Sequence, residues 1–187
     1  MSPPGFEHGF DEVLAAARLG QPWALTALYR AYAGPVTGYV RLRSPAEPDD
    51  VVSEVFLSAF GALDRFTGGE ADFRGWLFTI AARRVVDDLR RRGRQVPTTP
   101  YDPADDDRSE PDAESQALDA LGTQWARRVL DRLAPDQREV LLLRVLGDLT
   151  VDEVAARLGK TRGAVKQLQR RGLAAAARLL EEEGVPL

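Results

Sequence analysis

Residues Leu149–Arg171, LTVDEVAARLGKTRGAVKQLQRR, decide how their part of the chain folds. Val154, Leu158, Val165 and Leu168 recur at the spacings two crossed helices need. Ala155 is small where the second helix must pass closely over the first. Gly159, directly after Leu158, suits the left-handed position that ends a helix abruptly. A short turn then leads into a second helix, the order of a helix-turn-helix. Laid in a major groove, that helix would present Thr161, Arg162, Lys166, Gln167, Arg170 and Arg171. Arg or Lys can donate twice to guanine and Gln can pair with adenine, each good pair discriminating by about 1–3 kcal/mol. Arg162, Lys166 and Gln167 stand near the helix start, where bases are read. Arg170 and Arg171 stand further along, where phosphate contacts add affinity without sequence information. The alternative is a helical hairpin with a solvated basic face, and the joint fit of Ala155, Gly159 and Val165 favours DNA. Gly172 lies inside the second helix at a cost of roughly 1 kcal/mol relative to Ala, which a close helix crossing would explain.

Upstream of this motif, Trp125, Val129, Leu130 and Leu133 form one amphipathic helix, and Pro135 starts another through Val140, Leu141 and Leu143. With residues 151–158 and 162–180 this makes a four-helix C-terminal domain, residues 118–187. Residues 96–117 (VPTTPYDPADDDRSEPDAESQA) hold four prolines and seven acids and almost no large apolar side chains. Such a stretch cannot bury enough surface to offset its ordering entropy, so it reads as a flexible acidic linker. It also explains the net charge of −4, which is a poor omen for a DNA binder taken whole. Residues 1–95 carry 12 basic and 12 acidic side chains, residues 96–117 one and seven, and residues 118–187 12 and 10. The acidity belongs to the linker. Arginine outnumbers lysine 23 to 2, a bias that suits phosphates and guanine edges and that base composition of a genome also produces.

The first 95 residues show helical spacing throughout and no sustained alternation, so the fold is expected to be all-α: two small helical domains and the linker. Phe10, Val13, Leu14 and Ala17 line one helix, ended by Gly20. Leu25, Leu28, Tyr29 and Tyr32 line the next, which is expected to break at Gly34-Pro35 before a short piece with Val36, Tyr39 and Val40. Pro48-Asp49-Asp50 opens a helix with acids in its first turn, and Asp72 is the expected N-cap of a long helix ending in Arg90-Arg91-Arg92.

The segments DDVVSEVFLSAFGALDRF and FRGWLFTIAARRVVDDLRRRGR, followed by LDRLAPDQREVLLLRVLGDLTVDEVAARLGKTRGAVKQLQRR, resemble the second and fourth domains of extracytoplasmic-function sigma factors. The resemblance runs from about Leu25 to Leu180, linker included. It implies a factor that binds RNA polymerase core and directs it to promoter DNA, with an anti-sigma protein as a further expected partner. Carried over by position, Asp49, Asp50, Val52, Glu54 and Leu57 would dock on the clamp of the large polymerase subunit, with Phe56 and Phe60 facing the core. Arg74, Arg83, Arg84, Asp87, Arg90 and Arg91 would serve minus-ten recognition, beside a base pocket in the Phe66–Phe73 loop. Capture of a single strand needs such a wall, pocket and row of cations. Trp76 is a tempting stacking platform, but its spacing with Phe73, Leu77 and Ile80 favours the core. Thr161, Arg162, Lys166, Gln167, Arg170 and Arg171 would read the minus-thirty-five element. Two departures stand out: Arg83 and Asp88 replace a common Asn and His, and Leu168-Gln169 stands where an Arg is common, which shifts the apolar anchor by one residue.

No cysteine is present, which removes thiolate metal sites and cysteine nucleophiles, and the lone His8 has no catalytic company. Neither a cofactor, a metal nor an enzymatic activity is expected. The apolar runs are too short to span a bilayer and the first residues do not read as a signal peptide, so a cytoplasmic protein without membrane partners is expected. The competing reading is a stand-alone helix-turn-helix regulator acting without polymerase, which leaves the Asp49–Leu57 surface and the basic 83–94 run without a purpose. A pure interaction adaptor is a second rival.

Overall fold

The computed structural model describes residues 6, 8–43, 47–92 and 124–182, so the linker reading of residues 96–117 lies outside the described residues. Among the described residues every regular element is helical and no strand occurs. The order is α1 (Phe10–Arg18), α2 (Pro22–Arg43), α3 (Pro48–Phe60), a 3-10 turn (Leu63–Arg65) and α4 (Glu70–Arg92). Helical residues 124–131 (α5) follow, then α6 (Pro135–Val145), α7 (Val151–Leu158) and α8 (Arg162–Glu182).

In the N-terminal half, α1 buries Phe10, Val13, Leu14 and Ala17, and Gly20 takes the left-handed conformation (φ 72°) expected of its turn. Helix α2 departs from the sequence reading, because it runs unbroken through Pro35. An interior proline removes one backbone hydrogen bond and costs about 3 kcal/mol. Val36, Tyr39 and Val40 lie just beyond it with no exposed surface, and burying each stabilises by roughly 1.5–3 kcal/mol. Packing therefore wins. Helix α4 also starts earlier than expected. Asp72 is not its N-cap; its Oδ2 accepts the Gly69 N–H at 2.9 Å from within the first turn, the reach-back half of a capping box. The core of this half centres on Phe73, whose ring lies 5.4–5.6 Å from Tyr32, Phe10 and Trp76 and 5.4 Å from Phe66.

In the C-terminal half, Thr150 and Glu153 form a reciprocal capping box at the start of α7. Gly159 closes that helix at φ 61°, and the Lys160 N–H returns to the Ala155 carbonyl at 3.0 Å. Val154 and Val165 are fully buried and Ala155 nearly so, as two crossed helices require. Gly172 is buried where α8 crosses α6: a Cβ there would stand 3.1 Å from Leu141 and 3.3 Å from Gln137. The close crossing accounts for the glycine. Gly172→Leu is expected to cost about 1–3 kcal/mol by overpacking. That would lower the thermal midpoint by about 2–4 °C per kcal/mol in a chain of this length. Gly163→Ala, whose Cβ would meet only Thr161 Oγ1 at an ordinary 4.0 Å, serves as the control. Equal melting curves by circular dichroism would refute the tight crossing.

The two halves share one apolar cluster. Val140, Leu142, Leu143, Leu149, Val154, Ala155 and Val165 join the buried residues of α1–α4, while Leu141 packs with Val129, Leu133 and Leu179 in a separate cluster. Four consecutive buried residues, Val140 to Leu143, make α6 apolar on more than one side, so it needs partners on both. The sequence reading of two domains held apart by a linker did not include this shared packing.

Candidate nucleic-acid interface

Helix α8 begins at a capped turn. Thr161 Oγ1 accepts the Ala164 N–H at 3.2 Å, which leaves the hydroxyl proton free to point outward. Thr161, Arg162, Lys166, Gln167, Arg170 and Arg171 are all exposed, and Val165 on the opposite face is fully buried. The structure thus brings all six to the outer side of one helix held rigidly by α7. Arg162 pairs with Asp152 at 2.8 Å, both well exposed, so the pair is weak and easily exchanged for a phosphate. Leu168 is half-buried against the core, and Gln169 Oε1 accepts from Arg144 Nε at 3.4 Å. Arg144 also donates to the Leu149 carbonyl, tying α6 to the turn before α7.

Helix α4 carries the second set. Arg83, Asp87 and Arg90 are exposed. Arg84 donates to Ser58 Oγ at 2.7 Å and lies 3.7 Å from Glu54, and Arg91 lies 3.7 Å from both Glu54 and Asp88. Asp88 is buried and holds Arg92 at 2.9 Å across one turn. Arg84, Arg90 and Arg91 thereby line one shallow cleft with Glu54 and Asp87. Arg74 stands apart from these. Its side chain is only 15% exposed and pairs with Asp148 of the C-terminal half at 3.2 Å. Trp76 is half-buried, its ring 5.1 Å from Phe66 and 5.6 Å from Phe73.

On α3, Asp49, Asp50 and Leu57 face outward, Leu57 with 72% of its surface exposed. Glu54 is half-buried by its two arginines. Val52 is a correction to the sequence reading: it is 5% exposed and belongs to the core, beside Val51, Val55 and Phe56. Spacing alone could not place it, since Val51, Val52, Val55 and Phe56 are consecutive enough to fill more than one face. Phe56 is buried and Phe60 partly so, as expected.

Sequence reasoning missed the residues between the halves. Tyr39 Oη donates to Glu139 Oε1 at 2.9 Å, and Arg43 lies 3.3 Å from the other oxygen of that carboxylate. Burial, and then the Glu139 charge, push the Tyr39 phenol well above its ordinary pKa, so it remains a donor. Asp148, which pairs with Arg74, sits in the left-handed region (φ 47°), where Asp is tolerated better than most residues. These partners are 74 to 100 residues apart, and no local pattern announces them.

Among the described residues no group of carboxylates and histidines is arranged to hold a metal ion, and no helix is long and apolar enough to cross a membrane. Residues 28–95 match the family model for Sigma-70 region 2, and residues 129–175 that for Sigma-70 region 4. The chain is 33% identical to the ECF RNA polymerase sigma factor BldN of Streptomyces coelicolor over 174 residues, 92% of this chain and 66% of that protein. It is 34% identical to SigD of Mycobacterium tuberculosis over 175 residues, 87% of this chain and 80% of that one. The solved structure of CnrH in complex with the cytosolic domain of CnrY shares the fold, with a TM-score of 0.66 at 24% identity over 91% of this chain and 96% of that one. The helix-turn-helix, the helical N-terminal half and these matches in the same chain order lead to one conclusion: this chain belongs to the extracytoplasmic-function subfamily of RNA polymerase sigma factors of the sigma-70 type.

Proposed function

We propose that the chain works as three parts, residues 1–95, 96–117 and 118–187, and that each structured part has its own contact. The exposed side of α3, with Asp49, Asp50, Glu54 and Leu57, docks on the polymerase core. The α4 side chains Arg74, Arg83, Arg84, Asp87, Arg90 and Arg91 and the Phe66–Phe73 loop hold the minus-ten strand. Helix α8 reads the minus-thirty-five duplex through Thr161, Arg162, Lys166, Gln167, Arg170 and Arg171. The acidic stretch between them follows a basic channel of polymerase, its charge standing in for nucleic acid. The protein performs no chemistry of its own and acts in the cytoplasm, where polymerase is. RpoE of Bartonella quintana was solved in complex with the anti-sigma factor NepR, and by analogy an anti-sigma protein is a fitting further partner of this chain.

The observation that carries this reading is the outward display of all six α8 side chains on the same chain as an α3 whose exposed leucine is flanked by acids. Run-off transcription with purified core polymerase tests it. Core plus this protein should start transcripts from promoters that core alone ignores, and failure on every candidate promoter would sink the reading. A stand-alone regulator would bind duplex DNA and start none. Lys166→Ala should weaken binding to the preferred minus-thirty-five sequence by about 1–3 kcal/mol and flatten selectivity at one base pair. Unchanged selectivity in a binding-site selection would remove Lys166 as a base reader.

A further inference from the structure

The loop proposed to hold the minus-ten strand is braced from α1, a helix that the proposed contacts leave out. Arg18, the last residue of α1, reaches across to the segment before α4. Its Nε donates to the Leu63 carbonyl at 3.3 Å and its Nη2 to the Phe66 carbonyl at 2.6 Å. Leu63 also accepts the Phe66 N–H at 3.2 Å, which closes the 3-10 turn. Helix α1 is itself anchored, with Phe10, Val13, Leu14 and Ala17 buried. Arg18 therefore ties the end of the turn to a packed helix through charge-assisted hydrogen bonds.

Beyond that tie lie Thr67, Gly68 and Gly69, all exposed. Left to itself, a stretch with two glycines would sample many backbone conformations. Here both of its ends are held. Arg18 holds the Phe66 carbonyl at the entry, and Asp72 accepts the Gly69 N–H at 2.9 Å at the exit. In the middle, Gly68 takes φ 137°, and a Cβ there would stand 2.6 Å from that of Asp72, so the backbone presses on the first turn of α4. Phe66 turns its ring into the core against Phe73 and its carbonyl out to Arg18.

We infer that Arg18 is a positioning residue for minus-ten recognition, setting the Thr67–Gly69 backbone in the shape that accepts one unstacked base in preference to the others. A pocket discriminates only while its walls keep their geometry, since a loose wall adapts to any base. A guanidinium suits the task because its planar fork donates from several nitrogens in fixed directions. Methionine would fill similar space and make neither bond. This inference rests on the proposed reading of the Phe66–Phe73 loop.

Holoenzyme assembled from core polymerase and the full chain tests it on forked promoter fragments randomised across a single-stranded minus-ten segment. The readout is the affinity ratio between the best and worst base at the most selective position, which does not depend on the fraction of protein that is active. Arg18→Met should lower that ratio about tenfold, the size of one good bidentate base contact. Selectivity in the minus-thirty-five duplex and affinity for core should stay at wild type. Arg18→Lys, which keeps the charge and can still donate to one carbonyl, should fall between the two. Arg30→Met removes an exposed arginine elsewhere in the same half and should leave the ratio unchanged. If the wild type is selective and Arg18→Met matches its ratio, the inference is overturned, even where all affinities fall together. A uniform fall is the mark of a phosphate contact or of lost stability. A wild-type ratio near one at every position faults the reading of the loop itself.

Discussion

A chain carrying Phe73→Ala is expected to unfold roughly 10 °C below the wild type, the largest stability loss among the substitutions considered, from a cost of about 3–5 kcal/mol. Phe73 is 1% exposed and its ring meets those of Phe10, Tyr32, Phe66 and Trp76, contributed by α1, α2, the segment after the 3-10 turn and α4. Removing it leaves a cavity walled by rings that cannot collapse together without moving four segments. Aromatic pairs also lose about 0.5–1.5 kcal/mol each beyond area burial. The loss should be accompanied by weaker strand capture, because Phe66, packed edge-on against Phe73, belongs to the loop proposed to hold the strand. Scanning calorimetry checks it, and a shift of under roughly 3 °C would mean the cluster relaxes where this packing says it cannot.

The second large effect concerns binding and leaves the fold alone. Leu57→Arg should weaken association with core polymerase by at least about 2 kcal/mol, roughly 30-fold, the loss typical of an anchoring side chain at the centre of an interface. Leu57 is 72% exposed and outside the apolar core, while Val55, Phe56 and Ala59 of the same helix are buried, so the substitution leaves the core packing intact. Far-ultraviolet circular dichroism and the melting midpoint should therefore stay within error. Competition with a labelled sigma factor for core measures the affinity. Wild-type affinity in the variant would move the docking surface away from α3. Asp50→Arg tests the charge complement of the same surface, and its effect should shrink as salt rises.

Much of the candidate site could be read before any coordinates. The α8 face followed from period 3.6 and from Gly159, because a left-handed stop fixes where the next helix begins and so which side chains it turns outward. Val52 was not legible. Four apolar residues within Val51–Phe56 satisfy both an inward and an outward face, and only the packing of α3 on α2 and α4 chose between them. The break expected at Pro35 failed for a related reason. Proline's local cost is readable in the sequence, but the burial that offsets it depends on neighbours far along the chain.

The sequence by itself determined the helix-turn-helix, the all-helical architecture of the described residues and the concentration of acid between the halves. These are local properties: periodicity, capping and composition act over a few residues, and their physics does not depend on what packs nearby. The tertiary structure alone decided that α6 is buried on two sides, that Arg74 is held by Asp148, and that Tyr39 and Arg43 converge on Glu139. Those contacts join residues 74 to 100 positions apart. A charged or apolar side chain carries no mark of its distant partner, and only the closure of the fold brings the pair within reach.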